Sequence, residues 1–103
     1  MPFLIVDGQQ IETDDFGFLI NPDEWTEDVT KAIAACENIT LTEDHWKAIG
    51  YLRDYQSTYQ ITPVIRKFCK DTKFSLRQLF QMFPSGYSQA VRLAGLIKPQ
   101  GCV

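Results

Sequence analysis

The chain closes on Lys98-Pro99-Gln100-Gly101-Cys102-Val103. This puts a thiol one place from the carboxyl terminus, among residues that offer almost nothing to bury. Proline stiffens that segment and glycine loosens its end. An exposed thiol invites oxidation, so a chain with no use for one is better without it. The electrostatics there conflict. The carboxylate of Val103 opposes thiolate formation, whereas Lys98, and Arg92 if the segment folds back, favours it. A thiol of ordinary pKa still accepts sulfur well near neutral pH, because nucleophilicity rises with pKa. A thiol on a short arm can enter a partner's active site, receive a group and leave. The same residues also fit an incidental cysteine in a frayed tail.

The other candidates are weaker. His45 is the only histidine. It is expected at a helix start or on the surface, and with no second histidine a histidine-based metal site is not expected. Asp14, Asp15 and the run Asp23 to Asp28 fall in a turn and at a helix N-terminus, where acids are favoured for local reasons. Cys36 falls in phase with Trp25, Val29 and Ile33 and reads as a core thiol, and Cys69 reads as half-buried. Three cysteines at wide spacing make neither a disulfide framework nor a zinc site. The glycines stand singly, so there is no phosphate-cradling loop. Thr62 to Phe83 reads as two short helices with Arg66, Lys67, Lys70, Lys73 and Arg77 outward, a pattern like a helix-turn-helix. It fits phosphate contacts from Arg66, Lys70 and Arg77, and it fits an ordinary helix pair as well.

The elements that must position these residues are legible in outline. At 103 residues with a formal net charge of −3, the chain is one small domain and not a generally basic nucleic-acid binder. The charge is uneven. Residues 1–51 carry eleven acids and two bases, and residues 52–103 carry eight bases and two acids. No signal peptide is read at the start, and no stretch approaches the roughly 20 apolar residues of a membrane span. A cytoplasmic protein with reduced thiols is expected. Phe3 to Glu12 predicts a β-hairpin turning at Asp7-Gly8, with Phe18 to Ile20 as a further short strand. Asn21-Pro22-Asp23-Glu24 predicts the start of a helix running to Cys36. Thr42 caps a second helix, in which Trp46, Ile49, Gly50, Leu52, Arg53 and Tyr59 share a side. Thr62-Pro63 opens a third with Val64, Ile65 and Phe68 inward. Ser75 caps a fourth with Leu76, Leu79, Phe80 and Phe83 on its apolar face. Tyr87 to Ala94 forms a fifth, stopped at Gly95. Leu96 to Val103 is then a tail.

The segment FPSGYSQAVRLAGLIKPQGCV, residues 83–103, resembles the C-terminal end of the DsrC/TusE family of sulfur-relay proteins. The penultimate cysteine, the Ala94-Gly95-Leu96 and Lys98-Pro99 approach to it, and Phe83-Pro84 with Gly86 are the most specific marks. DGQQIETDDFGFL, LTEDHWKAIGYLRDY and TPVIRK extend the likeness over nearly the whole chain. The resemblance implies an α+β, mainly α fold: an N-terminal hairpin on a helical bundle, a helix-turn-helix-like element, and residues 96–103 as a mobile arm on a single 1–103 domain. It implies that Cys102 carries sulfur, as a persulfide or in a linkage with a partner, with no metal or organic cofactor. The chain would then be a sulfurtransferase component without its own substrate pocket. Two-cysteine members carry a second cysteine eleven residues before the penultimate one, where this chain has Val91, so single-thiol chemistry is implied. Members of that kind take sulfur from an upstream relay complex and pass it to the thiolase acting on the tRNA wobble uridine. The chain departs from the family at Gly86-Tyr87-Ser88-Gln89 and in a shorter Asp71 to Ser75 segment, both close to the arm. Three further roles therefore stay open: a single-cysteine regulator, a DNA binder using the basic face, and a subunit of a sulfite-reductase-type complex.

Overall fold

A computed structural model describes residues 2–97. Strands β1 (Phe3–Val6) and β2 (Gln9–Glu12) pair antiparallel, with Phe3 opposite Glu12 and Val6 opposite Gln9. Asp7 and Gly8 both take positive φ, 52° and 78°, as a type I′ turn requires. The third strand reduces to one bridge between Thr13 and Leu19. The hairpin buries only Val6 and Ile11. A two-stranded ribbon with so little apolar area is not stable alone, and it leans on the first helix.

Among the described residues five α-helices follow: α1 (Glu27–Cys36), α2 (Glu43–Tyr59), α3 (Ile65–Thr72), α4 (Leu76–Met82) and α5 (Tyr87–Leu93). The innermost is α5, which packs on both α1 and α2, while α3 packs on α2. Tyr87, Gln89, Ala90, Val91 and Leu93 of α5 are all buried. Around it Val29, Ile49, Leu52, Phe68, Leu79 and Phe83 form the core. Tyr87 hydroxyl donates to the Pro63 carbonyl and ties the start of α5 to the approach of α3.

The expected first helix is split. Asn21 Oδ1 accepts from the Asp23 N–H at 3.0 Å and Pro22 opens a turn of 3₁₀ helix, Pro22–Glu24. Trp25 then takes extended geometry, φ −69° and ψ 140°. Thr26 begins α1 afresh, its Oγ1 accepting from the Val29 N–H. The local start signal is genuine, but a tertiary role for Trp25 overrides continuation.

Three further expectations are corrected. Cys36 is exposed. The buried stripe of α1 is Val29, Thr30, Ile33 and Ala34; at about 100° per residue its centre next falls at Glu37, about a quarter-turn from Cys36. His45 stands in the first turn of α2, a helix-start position as expected, and is buried there. Its Nδ1 accepts from the Thr42 N–H at 3.2 Å, so its Nε2–H donates to the Met82 carbonyl at 2.8 Å. Helix α3 begins at Ile65 with Val64 as its cap, two residues later than expected. Val64, Leu76 and Phe80, assigned to the interior, are 55%, 56% and 53% exposed.

Candidate functional site: the base of the C-terminal segment

In the chain, the segment that ends in Cys102 follows the end of α5, and that helix end is over-determined. The Gly95 N–H donates to the Arg92 carbonyl at 3.0 Å and the Leu96 N–H to the Val91 carbonyl at 3.3 Å. These are the paired bonds of a Schellman motif, which usually carries an apolar contact between the positions held here by Leu96 and Val91. Both side chains are fully buried. Gly95 sits at φ +71°, where a side chain is strained. A Cβ there would also lie 2.1 Å from Trp25 Cδ1, so the position needs glycine twice over. Leu96 therefore belongs to the body and not to a tail. The chain is held up to that residue, and Ile97 is the first to reach solvent.

Trp25 and Arg53 complete the latch. Trp25 Nε1 donates to Thr30 Oγ1 at 2.8 Å, and Thr30 Oγ1 donates to the Leu93 carbonyl at 2.6 Å. This chain of bonds carries α1 to one of the carbonyls that α5 cannot satisfy itself. Arg53, from the middle of α2, fills the rest. Its Nη1 donates to the Ala94 and Gly95 carbonyls, both at 3.3 Å, and its Nη2 to Pro22 at 3.1 Å. Its guanidinium lies 4.6 Å from the centre of the Trp25 ring, within cation–π range. Burial lowers the Arg53 pKa, and the charge of Asp23 opposes that shift.

Arg92 serves the neighbouring seam. Its Nη2 donates to Glu37 Oε1 at 2.6 Å and its Nε to Oε2 at 3.3 Å, while Gln89 Nε2 reaches the same Oε1 at 2.7 Å. The fork-on-carboxylate geometry fixes α5 to the end of α1. Lys98 and Cys102 lie outside the described residues. Arg66, Lys70 and Arg77 stand exposed on α3 and α4 and are not gathered at the latch. Val91 points into the core. Among the described residues no three His, Cys, Asp or Glu side chains group as metal ligands, and no helix is long and apolar enough to cross a membrane. Sequence reasoning missed Arg53, Trp25 and Thr30 as positioning residues. Only the Ala94-Gly95-Leu96 helix stop was visible as a local signal.

A family model described as "DsrC like protein" matches residues 5–103. The chain belongs to the DsrC-like family. Among curated relatives it is 38% identical to "Sulfurtransferase TusE" of Photorhabdus laumondii, covering all of both chains. It is 38% identical to "Sulfite reductase, dissimilatory-type subunit gamma" of Nitratidesulfovibrio vulgaris, covering 93% of each. Among solved structures it is similar to the oxidised gamma subunit of dissimilatory sulfite reductase, DsrC, from Archaeoglobus fulgidus. That match has a TM-score of 0.90 at 40% identity and covers 99% of this chain and all of the other. The solution structure of DsrC from Allochromatium vinosum gives 0.88 at 39% identity over 98% and 97% of the two chains. The hairpin-on-helices architecture expected from the resemblance is thus shared with DsrC proteins.

Proposed function

We propose that this protein is a sulfur carrier whose working atom is Cys102 Sγ. The match to the DsrC-like family runs through residue 103, and this is the observation that carries the reading. A relative covered end to end is named a sulfurtransferase. The Cys102 thiolate attacks the terminal sulfur of a persulfide on a donor protein. The donor's S–S bond breaks, its cysteine leaves as a thiolate, and Cys102 becomes the persulfide. One sulfur atom moves with no net oxidation, so the step needs neither metal nor organic cofactor. Transfer onward repeats the exchange in reverse on an acceptor, most simply the enzyme that thiolates the tRNA wobble uridine, in the cytoplasm.

The latch gives the body its part in this. Cys102 stands six positions beyond Leu96, and a fully extended run of that length spans at most roughly 20 Å. A thiol delivered over so short a reach needs a fixed origin. Lys98 is placed on the same segment to favour the persulfide anion. A role as a partner in a sulfite-reductase-type complex is the second reading, favoured by the relative named as a sulfite reductase gamma subunit.

Intact-protein mass spectrometry after incubation with a cysteine desulfurase and cysteine tests the proposal. The wild type should gain one sulfur mass and Cys102→Ser none. No gain, or equal gain on both, overturns it.

A further inference from the structure

Helices α3 and α4 carry a face that the other described residues leave uncovered. Exposed Leu76 and Phe80 flank two grooves that share Ile65 as a wall. One, of about 310 Å³, is lined by Ile65, Arg66, Cys69 and Leu76. The other, of about 250 Å³, runs past Ile65 and Phe80 to Ser85 and Ser88. Burial pushes the Cys69 thiol pKa up, so it behaves as an apolar lining group.

The charge around these grooves has one sign. From Val64 to Ser88 the chain has five bases, Arg66, Lys67, Lys70, Lys73 and Arg77, and one acid, Asp71. Asp71 is already engaged. It accepts from the Tyr51 hydroxyl at 2.6 Å and pairs with Lys67 at 3.3 Å, and the Tyr51 bond first of all holds its carboxyl below the usual range. Arg66, Lys70, Lys73 and Arg77 are exposed, and none has an ion pair among the described residues.

We propose that this face docks an acidic amphipathic helix of a partner protein. The partner's apolar side lies along the grooves between Leu76 and Phe80, and its carboxylates rest over Arg66 and Arg77. An apolar groove rimmed by unpaired cations is complementary to a helix with apolar anchors at i, i+3/i+4 and i+7 and acids between them. Nucleic acid fits less well. In a helix-turn-helix the start of the second helix carries the side chains that read base edges. Here Leu76 opens that helix, and Gln78 turns back to accept from the Ser75 N–H at 2.9 Å. Phe80 follows on the next turn, where an exposed ring gains nothing against phosphate. The docking surface stands whether or not Cys102 carries sulfur.

The test uses the full chain and a fluorescein-labelled peptide of about 18 residues, five helical turns, with Leu at the anchor positions and Glu elsewhere. Fluorescence anisotropy compares wild type with Leu76→Ser and with the pair Arg66→Glu and Arg77→Glu. All three positions are exposed, and circular dichroism checks that the variants stay folded. The peptide should bind wild type, and rising salt should weaken it. Each variant, and a scrambled peptide of the same composition, should bind roughly tenfold or more weakly, a loss of about 1.4 kcal/mol. A version with Lys in place of Glu should not bind. No binding of the acidic helix, equal binding of the scramble, or equal binding by the variants overturns the proposal. So does a duplex DNA oligonucleotide that binds more tightly than the peptide and is lost with Arg66 and Arg77.

Discussion

The end of α5 and the α3–α4 face are built on opposite plans. At the end of α5 the polar groups named above are all answered. Arg53 serves three carbonyls, Thr30 serves another, Trp25 seals Gly95, and Arg92 is forked onto Glu37. On α3 and α4 large apolar side chains face outward beside cations without counter-ions among the described residues. The first region resists movement because any shift leaves buried carbonyls unsatisfied. The second loses nothing in the free chain by being covered. One fixes the residue from which the chain continues to Cys102, and the other is the face proposed to dock a partner.

That contrast predicts where substitutions matter. Gly95→Ala should be the most damaging, costing about 3 kcal/mol in chemical denaturation, since it adds a positive-φ penalty to overpacking against Trp25. A value within ~0.5 kcal/mol of wild type would mean that the latch is loose. Within α4 the comparison can be made on a single helix. Leu79→Ala removes a fully buried side chain and should cost about 2–3 kcal/mol, whereas Leu76→Ser one turn earlier should stay within about 0.5 kcal/mol. Equal losses would mean that the exposed face is structural after all. Arg53→Met keeps much of the side chain's packing but strands the Pro22, Ala94 and Gly95 carbonyls, and should cost about 1–3 kcal/mol.

The smallest effect lies far from both regions. A proton shared with the neighbouring Asp28 carboxylate, and then the repulsion of its charge, raises the Asp7 pKa. A carboxyl raised in the folded state contributes stability when protonated and loses it as pH climbs through the folded pKa. Asp7→Asn should therefore raise Tm slightly at neutral pH, and the gain should fade below the ordinary carboxylate range. A gain independent of pH would assign the effect to turn geometry alone.

What could be read in advance follows the range of each signal. Asp7-Gly8, the Ser75 capping box and the Gly95 stop are each settled within four residues, and all three stand in the structure. The break at Trp25 was not legible, because its cause is a bond chain to Leu93, 63 residues beyond Thr30. Arg53 reads as a solvated cation on a helix until the carbonyls it serves are in place. Val64, Leu76 and Phe80 were assigned inward because apolar periodicity does not distinguish a face packed by the chain itself from one left open for another.

The central claim is that the latch gives the Cys102 segment a fixed origin from which to accept sulfur. The most direct test follows sulfur transfer from a persulfidated cysteine desulfurase to wild type and to Arg53→Met, at a temperature where both are folded. Alkylation of Cys102 by iodoacetamide is measured alongside. Transfer should slow in the variant while alkylation stays unchanged, because the thiol is intact and only its origin is loosened. Equal transfer rates in the two proteins would contradict the account.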